Sequence, residues 1–299
     1  MTDQRTGKVH NFTRVRGLLH EGLVNWEGTA EELWNAAEMS ETRRNARVAR
    51  ELRPALPAEL PLDDQRRLVH GFCLHLKDKY GIAAHWVIHA PAFHEKDDDR
   101  QLWAGRKIED GDNKYLEALF DPAHTNLNFH AHIRWTMREV DLYSQEFGVR
   151  TLALDRKPTG TGEVKSIRAE WQRRTNAALA KAGSDARIDL RSYRAMAADG
   201  DAPDGLEAQQ HLGPRNAARA RAAAHPIDPL MPMVAVRNHQ VRERNEQRWE
   251  HWLMIRQLSR EKAGLEDARH IAESREAERR AAAELQKKKV AAAQSVEEQ

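Results

Sequence analysis

The chain of 299 residues reads as an α+β fold: a central antiparallel sheet, helices packed on one of its faces, and a long charged helical extension at the C-terminal end. Three observations carry this reading. Residues 128–138 alternate strictly, with Asn128, His130, His132, Arg134, Thr136 and Arg138 on one side and Phe129, Ala131, Ile133, Trp135 and Met137 on the other. That is the period-two pattern of a strand with one buried and one wet face. Residues 82–90, IAAHWVIHA, are a second run of strand formers, closed by Pro91 and preceded by an amphipathic helical stretch. From Arg237 to Gln299 the chain carries 14 Lys+Arg and 12 Asp+Glu, is rich in alanine and lacks proline. It reads as one long helix or a helix pair, without a sustained heptad.

Taken in order, residues 1–28 are polar and turn-rich, with Thr6-Gly7 and Arg16-Gly17. Thr29 followed by Glu32 is a capping box, and the helix it opens is predicted to run to about Leu52, before Pro54. That helix would set Arg43, Arg47 and Arg50 on one face, either solvated or touching phosphate. Asp63 is the expected cap of a second helix, whose Leu68, Val69, Phe72 and Leu76 form an apolar stripe. Gly81 suits its left-handed end. Alternation puts His85 and His89 on one face of the strand that follows.

Residues 92–125 make a long polar excursion, with the acidic run Asp97-Asp98-Asp99 and a short helix expected around Leu116–Phe120; insertions of this length are more often functional or mobile than core. Beyond the histidine strand, Ser166 is expected to cap a helix that ends at Gly183. IDLRSY (188–193), a Gly/Asp/Pro-rich stretch over 198–214 and a basic helix from Arg215 follow, and then Pro226, Pro229 and Pro232. The expected domains are residues 1–222, a linker at 223–236 and a helical extension at 237–299.

Composition narrows the function classes. The 48 Lys+Arg nearly balance 46 Asp+Glu, charged residues make up 31%, and the mean hydropathy is −0.80. No run approaches the roughly 20 apolar residues of a membrane span, and the first thirty residues lack the apolar core of a secretory signal. A lone Cys73 excludes a disulfide framework and a cysteine-rich zinc site, and fits a reducing cytosol. Near-neutrality leaves nucleic acid open as a partner, because local patches decide.

The chemistry concentrates in His130 and His132. Two histidines at i and i+2 on a strand lie roughly 6–7 Å apart at Cα and can converge on one metal ion or one phosphate. An isolated H-x-H is a weak motif. Here it sits centrally on a strand whose other face is apolar, and a second histidine-bearing strand can pair beside it. His89 is the expected third ligand, with His85, His94 and His124 as alternatives. Three imidazoles leave coordination positions open for water or substrate. By ligand type alone they suit several metals.

The segment NLNFHAHIRWTMRE (126–139) resembles the third motif of the MobA/MobL relaxases, the mobilisation group of the HUH endonucleases, whose usual form is close to N-x-H-A-H-I-x-x-T-x-R. DQRTGKVHNFTR (3–14), LWNAAEMSETRRNARVARELRPALPAEL (33–60), WVIHAP (86–91), IDLRSY (188–193) and QHLGP (210–214) resemble stretches of the same family in the same order. The resemblance implies a relaxase-like sheet without the family's first strand. It also implies His89, His130 and His132 as a triad holding a divalent ion, Mg²⁺ or Mn²⁺, against the scissile phosphate. Glu38 would take a polar or general-base role. Arg134 and Arg138, on the triad's face, with Arg43, Arg47 and Arg50, would grip DNA. The implied partners are single-stranded origin-of-transfer DNA and accessory mobilisation proteins, in a bacterial cytoplasm.

Three departures qualify what the resemblance implies. The family's nucleophilic tyrosine lies in an Ala-rich segment ahead of the stretch matched by DQRTGKVH, and none of Tyr80, Tyr115, Tyr143 or Tyr193 stands in that context. Leu190 occupies the place of the histidine in the family's D-H-R-S, and the 92–125 insertion widens the gap between His89 and the H-x-H pair. The expectation is therefore a chain that binds metal and single-stranded DNA without forming a tyrosyl adduct, because it is truncated or inactive as a strand transferase. The competing readings are a non-catalytic DNA-binding remnant of a relaxase and an unrelated histidine-based metal-dependent hydrolase.

Overall fold

Residue 18 begins the first strand of the computed structural model, which describes residues 2–9, 16–43, 45–107, 110–223 and 231–297. The chain divides into two units, Met1–Leu190 and Arg191–Gln299. In the first, β1 (Leu18–Val24) lies in the stretch that sequence reading takes as turns. Gly22 permits it: it sits directly opposite Trp86 on the neighbouring strand, and a Cβ there would overlap the Trp86 ring.

The capping box forms as expected. Thr29 accepts from the Glu32 backbone N–H at 3.2 Å, and Glu32 Oε2 accepts from the Thr29 N–H at 2.7 Å. The helix it opens, α1, spans only Ala30–Met39, and Ala49–Leu52 is a strand, β2. The expected helix to Leu52 is thus corrected, and Arg43, Arg47 and Arg50 do not share a helix face. Residues 40–47, SETRRNAR, offer only the small Ala46 as an apolar side chain with which to seat further helical turns. The edge of the histidine strand offers 49–52 a hydrogen-bonded ladder instead.

Helix α2 (Leu62–Tyr80) starts at Pro61 rather than at an Asp63 cap, with Asp63 and Asp64 in its first turn where the helix dipole favours them. It ends on Gly81 at φ 66°. The second strand of the histidine face, β3 (Ile82–His89), follows at once. The insertion holds two helices, α3 (Lys96–Gly105) and α4 (Gly111–Leu119), with Asp97, Asp98 and Asp99 forming the first turn of α3. The H-x-H strand, β4, spans His130–Val140, and β5 spans Phe147–Arg150. The sheet runs β1-β3-β4-β2 with β5 also on β4, and its pairings are antiparallel. Helix α5 covers Lys157–Lys181 with a proline in its first turn. Ser166 is therefore inside it, accepting from Lys79 Nζ at 3.1 Å, and is not its cap.

One face of the sheet carries the main core. Leu68, Val69, Phe72, Cys73 and Leu76 of α2 cluster with Ala84, Trp86 and Ile88 of β3 and with Ala131, Ile133 and Trp135 of β4. Outside α2 lies α5, with Trp171 edge-on to Phe72 at 5.1 Å. The opposite face is not wet along its whole length. Leu33 of α1, Ala83 and Val140 form a second small core with Trp26, Trp34 and Phe147. Thr136, expected in water, is 1% exposed, and its Oγ1 accepts from the Ala83 N–H at 3.1 Å. The histidine end of the same face stays open.

The second unit holds α6 (Tyr193–Ala198), α7 (Gly213–Ala222) and α8 (Met233–Glu297), the last a single helix of 65 residues. Of the three prolines in the expected linker, Pro226 and Pro229 lie outside the described residues, and residues 233–236 belong to the first turn of α8.

Candidate histidine site on the sheet

Antiparallel register sets His89 directly opposite His130 and Val87 opposite His132. Because alternate side chains share a face, all three imidazoles project together from adjacent strands. His89 and His130 stack at 5.4 Å between ring centroids, with 21° between their planes. His132 lies edge-on to His89 at 5.0 Å and tilted against His130 at 5.5 Å.

Two of the rings are oriented by their neighbours. His130 Nδ1 is 3.0 Å from the Asn128 carbonyl, which can only accept, so Nδ1 carries the proton and the Nε2 lone pair is left outward. His132 Nδ1 lies 3.0 Å from Glu51 Oε1, with the same consequence for its Nε2. Glu51 also accepts from Arg134 Nε at 3.0 Å and Arg53 Nε at 2.8 Å. Partial burial opposes ionisation of Glu51, but the hydrogen bonds from Arg53, His132 and Arg134 outweigh it and hold the carboxyl at about 2. Burial, and then the neighbouring His132 and His130, push the His89 pKa below the usual histidine value, which favours its neutral ring.

Sequence reading misses Glu51, because it lies in the four-residue β2, inside the stretch whose spacing predicts a helix. A strand so short leaves too few alternations to betray its period.

The other candidates are distributed differently. His85 accepts from Trp34 Nε1 at Nδ1 (3.2 Å) and therefore donates through Nε2 to Glu21, 2.8 Å away; it sits against α1. His94 and His124 are tied into the insertion, His94 N–H to the His124 carbonyl at 2.9 Å. The His124 ring lies 3.6 Å from Asp98 and 3.9 Å from Asp121. His89 is thus the histidine that the fold brings beside the H-x-H pair.

Glu38 is paired with Arg5 at 3.2 Å. Arg47 and Arg50 both reach Asp155, and Arg43 is exposed in the turn before β2. Arg138 is held by Glu41 at 3.2 Å and by the Gly148 carbonyl at 3.0 Å. Of the five candidate arginines, Arg134, half exposed and anchored through Glu51, is the one the fold ties to the histidines. Of the tyrosines in the first unit, Tyr80 donates to Glu163 at 2.6 Å, Tyr115 is buried, and Tyr143 is exposed on the turn between β4 and β5. Tyr193 begins α6 in the second unit.

The donor set is of the right kind for a divalent ion: three imidazoles within 5.5 Å of one another, two with fixed tautomers. Among the described residues, however, no group of three or more His, Cys, Asp or Glu side chains is arranged ready to hold a metal. The stacked pair would have to rotate about its side-chain torsions to converge.

The MobA/MobL family profile matches residues 1–221, the stretch that contains this site. The chain belongs to the MobA/MobL family. It is similar to Mobilization protein MobL of Acidithiobacillus ferridurans, 34% identical over 226 residues, covering 72% of this chain and 54% of that protein. Conjugal transfer protein TraA of Rhizobium radiobacter is 26% identical over 282 residues, 83% of this chain and 22% of that one. Mobilization protein A of Escherichia coli is 31% identical over 186 residues, 61% and 22% respectively. The chain spans about half the length of the first relative and about a fifth of the other two. A solved chain described as "Molecular Basis of Vancomycin Resistance Transfer in Staphylococcus aureus" aligns at 20% identity with a TM-score of 0.45, over 64% of this chain and 84% of that one; a likeness so slight carries no argument. The relatives named are proteins of mobilisation and conjugal transfer. Among its described residues no helix is long and apolar enough to cross a membrane.

Proposed function

We propose that this chain binds single-stranded origin-of-transfer DNA, seating one phosphate over His89, His130 and His132 with a divalent ion, in the service of relaxase-type nicking by transesterification to a tyrosine. The observation that carries the reading is the three-imidazole cluster on adjacent strands of a MobA/MobL chain, with Glu51 and Asn128 fixing two of its tautomers. Bound there, Mg²⁺ or Mn²⁺ would supply Lewis-acid neutralisation of the non-bridging phosphate oxygens. The protein's own part is positional. Glu51 orients His132 and Arg134 together, and the half-exposed Arg134 guanidinium offers a charged fork to an adjoining phosphate. None of the four tyrosines is assigned as nucleophile.

The test is calorimetric titration of the chain with Mn²⁺, followed by fluorescence anisotropy with a single-stranded oligonucleotide, comparing wild type with H89A and H130A/H132A. Saturable Mn²⁺ binding that the substitutions abolish, together with Mn²⁺-dependent tightening on DNA, is the expected outcome. Mn²⁺ affinity unaltered by removing the histidines would defeat the reading.

A further inference from the structure

We propose that the junction of α7 and α8 in the second unit is a binding surface for nucleic-acid phosphate backbone, made of residues outside the histidine site. The inference extends the reading above, since it supposes that DNA is the chain's partner. Residues 208–242 carry five arginines against the single acid Asp228, more excess positive charge than the whole chain's net +2. Helix α7 contains no acidic residue. Arg215 and Arg219, one turn apart on it, are exposed, as are Arg237 and Arg242 on α8. None of these four has an ion pair to a carboxylate among the described residues. The next cations along α8 are different: Arg244 and Arg248 both close on Glu207, at 2.8 and 3.1 Å.

An open cavity lies where α7, α8 and residues 209–212 meet. Gln209, Gln210, Asn238, His239 and Arg242 line it among apolar side chains, and no carboxylate does among the described residues. The nearest acid along the helix, Glu243, is 3.3 Å from His239 Nε2. Amide groups and the Arg242 guanidinium facing the hollow, with Arg215 and Arg219 exposed on the same helix α7 that borders it, suit phosphate and sugar oxygens.

The wall of the cavity is fixed in advance. Asn238 both accepts from the Gln210 N–H (2.8 Å) and donates to the Gln210 carbonyl (2.7 Å). Asn245 grips Glu207 in the same way, at 3.0 and 2.9 Å. Seven residues of helix rise about 10.5 Å and three of extended chain about 10 Å, so the two asparagines are spaced to hold 207–210 stretched along α8. A rigid hollow loses little freedom on binding. None of the residues lining the cavity, and none of these arginines, is among the residues of the histidine site.

The experiment is anisotropy of the full chain on a labelled single-stranded oligonucleotide in EDTA, over a range of salt concentrations, for wild type, R215Q/R219Q/R242Q and R215K/R219K/R242K. Each phosphate contact contributes about 0.7 to the slope of log K against log salt. The glutamine variant should therefore flatten the slope by about two and weaken binding on the order of fiftyfold at physiological salt. The lysine variant, which keeps the point charges, should restore both. Circular dichroism confirms that the variants keep their helices. Wild-type slope and affinity in the glutamine variant would overturn the proposal while leaving the histidine reading intact. Binding to anionic lipid vesicles without binding to DNA would overturn it equally. Conversely, Mn²⁺ binding that ignores the histidines would defeat that reading and leave this surface standing.

Discussion

Replacing Glu41 separates two roles for Arg138, a strand-face arginine that the family resemblance assigns to DNA. Glu41 is 7% exposed, and its Oε1 accepts from Arg138 Nε at 3.2 Å and Arg150 NH1 at 2.8 Å. The three residues bolt the turn after α1 onto β4 and β5. Charge-assisted bonds of this kind contribute about 1.5–3 kcal/mol each. Both arginines are about a quarter exposed, so water recovers part of the loss when the carboxylate goes. Glu41→Ala should therefore destabilise the chain by about 2–4 kcal/mol and Glu41→Gln, which keeps the volume and one acceptor, by about 1–2. For a unit of this size that is a fall in Tm on the order of 5–10 °C for the alanine variant. Urea unfolding of E41A, R138A and the double variant gives the coupling energy between the two side chains. A coupling of about 1 kcal/mol or more, with single-strand DNA affinity of folded R138A unchanged, is the expected result. No coupling, or an R138A variant as stable as wild type that loses DNA affinity, would refute the structural assignment and return Arg138 to the DNA face.

Gly22→Ala should cost about 1–3 kcal/mol in chemical denaturation, because the new methyl overlaps the Trp86 ring across the β1–β3 pair; an unchanged midpoint would contradict the tight approach. Glu170 is held at about 2 by hydrogen bonds from Arg173 and Arg174 that outweigh its burial. Its folded pKa is below the unfolded one, so its contribution, about 1 kcal/mol after solvent screening, is present above pH 4.5 and lost as the pH falls toward 2. The stability gap between wild type and E170Q should close across that window, and a gap independent of pH would argue against the pairing. Trp34→Phe removes the indole donor to His85 Nδ1. It should lower stability by about 1 kcal/mol and raise the His85 pKa, which burial now depresses; an NMR titration of the imidazole nitrogens reads this directly, and an unmoved titration curve would count against the bond.

The capping box at Thr29, the left-handed Gly81, both histidine strands and the apolar faces of α2 and β4 were legible in the sequence, because each is written in contiguous residues at a helical or strand period. The shared face of His130 and His132 was legible for the same reason, whereas His89 was one expected partner among four histidines. The register of β3 on β4, His89 opposite His130, is what puts it on their face. The short pieces were not legible. Residues 18–24 hide behind a glycine that matters only because Trp86 lies across from it, and 49–52 are too few to show a period. The arginines at 43, 47 and 50 looked like a helix face because their spacing permits one, and the pull of the β4 edge does not appear in local sequence.

By itself, then, the sequence determined which segments would be helix or strand where the apolar period is long, and which face of the H-x-H strand carries the histidines. The tertiary structure alone decided who their partners are: Glu51 beside His132, Glu41 beneath Arg138, Trp34 against His85, and His89 rather than His124 beside the pair. Periodicity is a property of neighbouring residues, whereas the charge and tautomer of a side chain are set by groups that the fold brings within about 3 Å from 50 to 100 residues away.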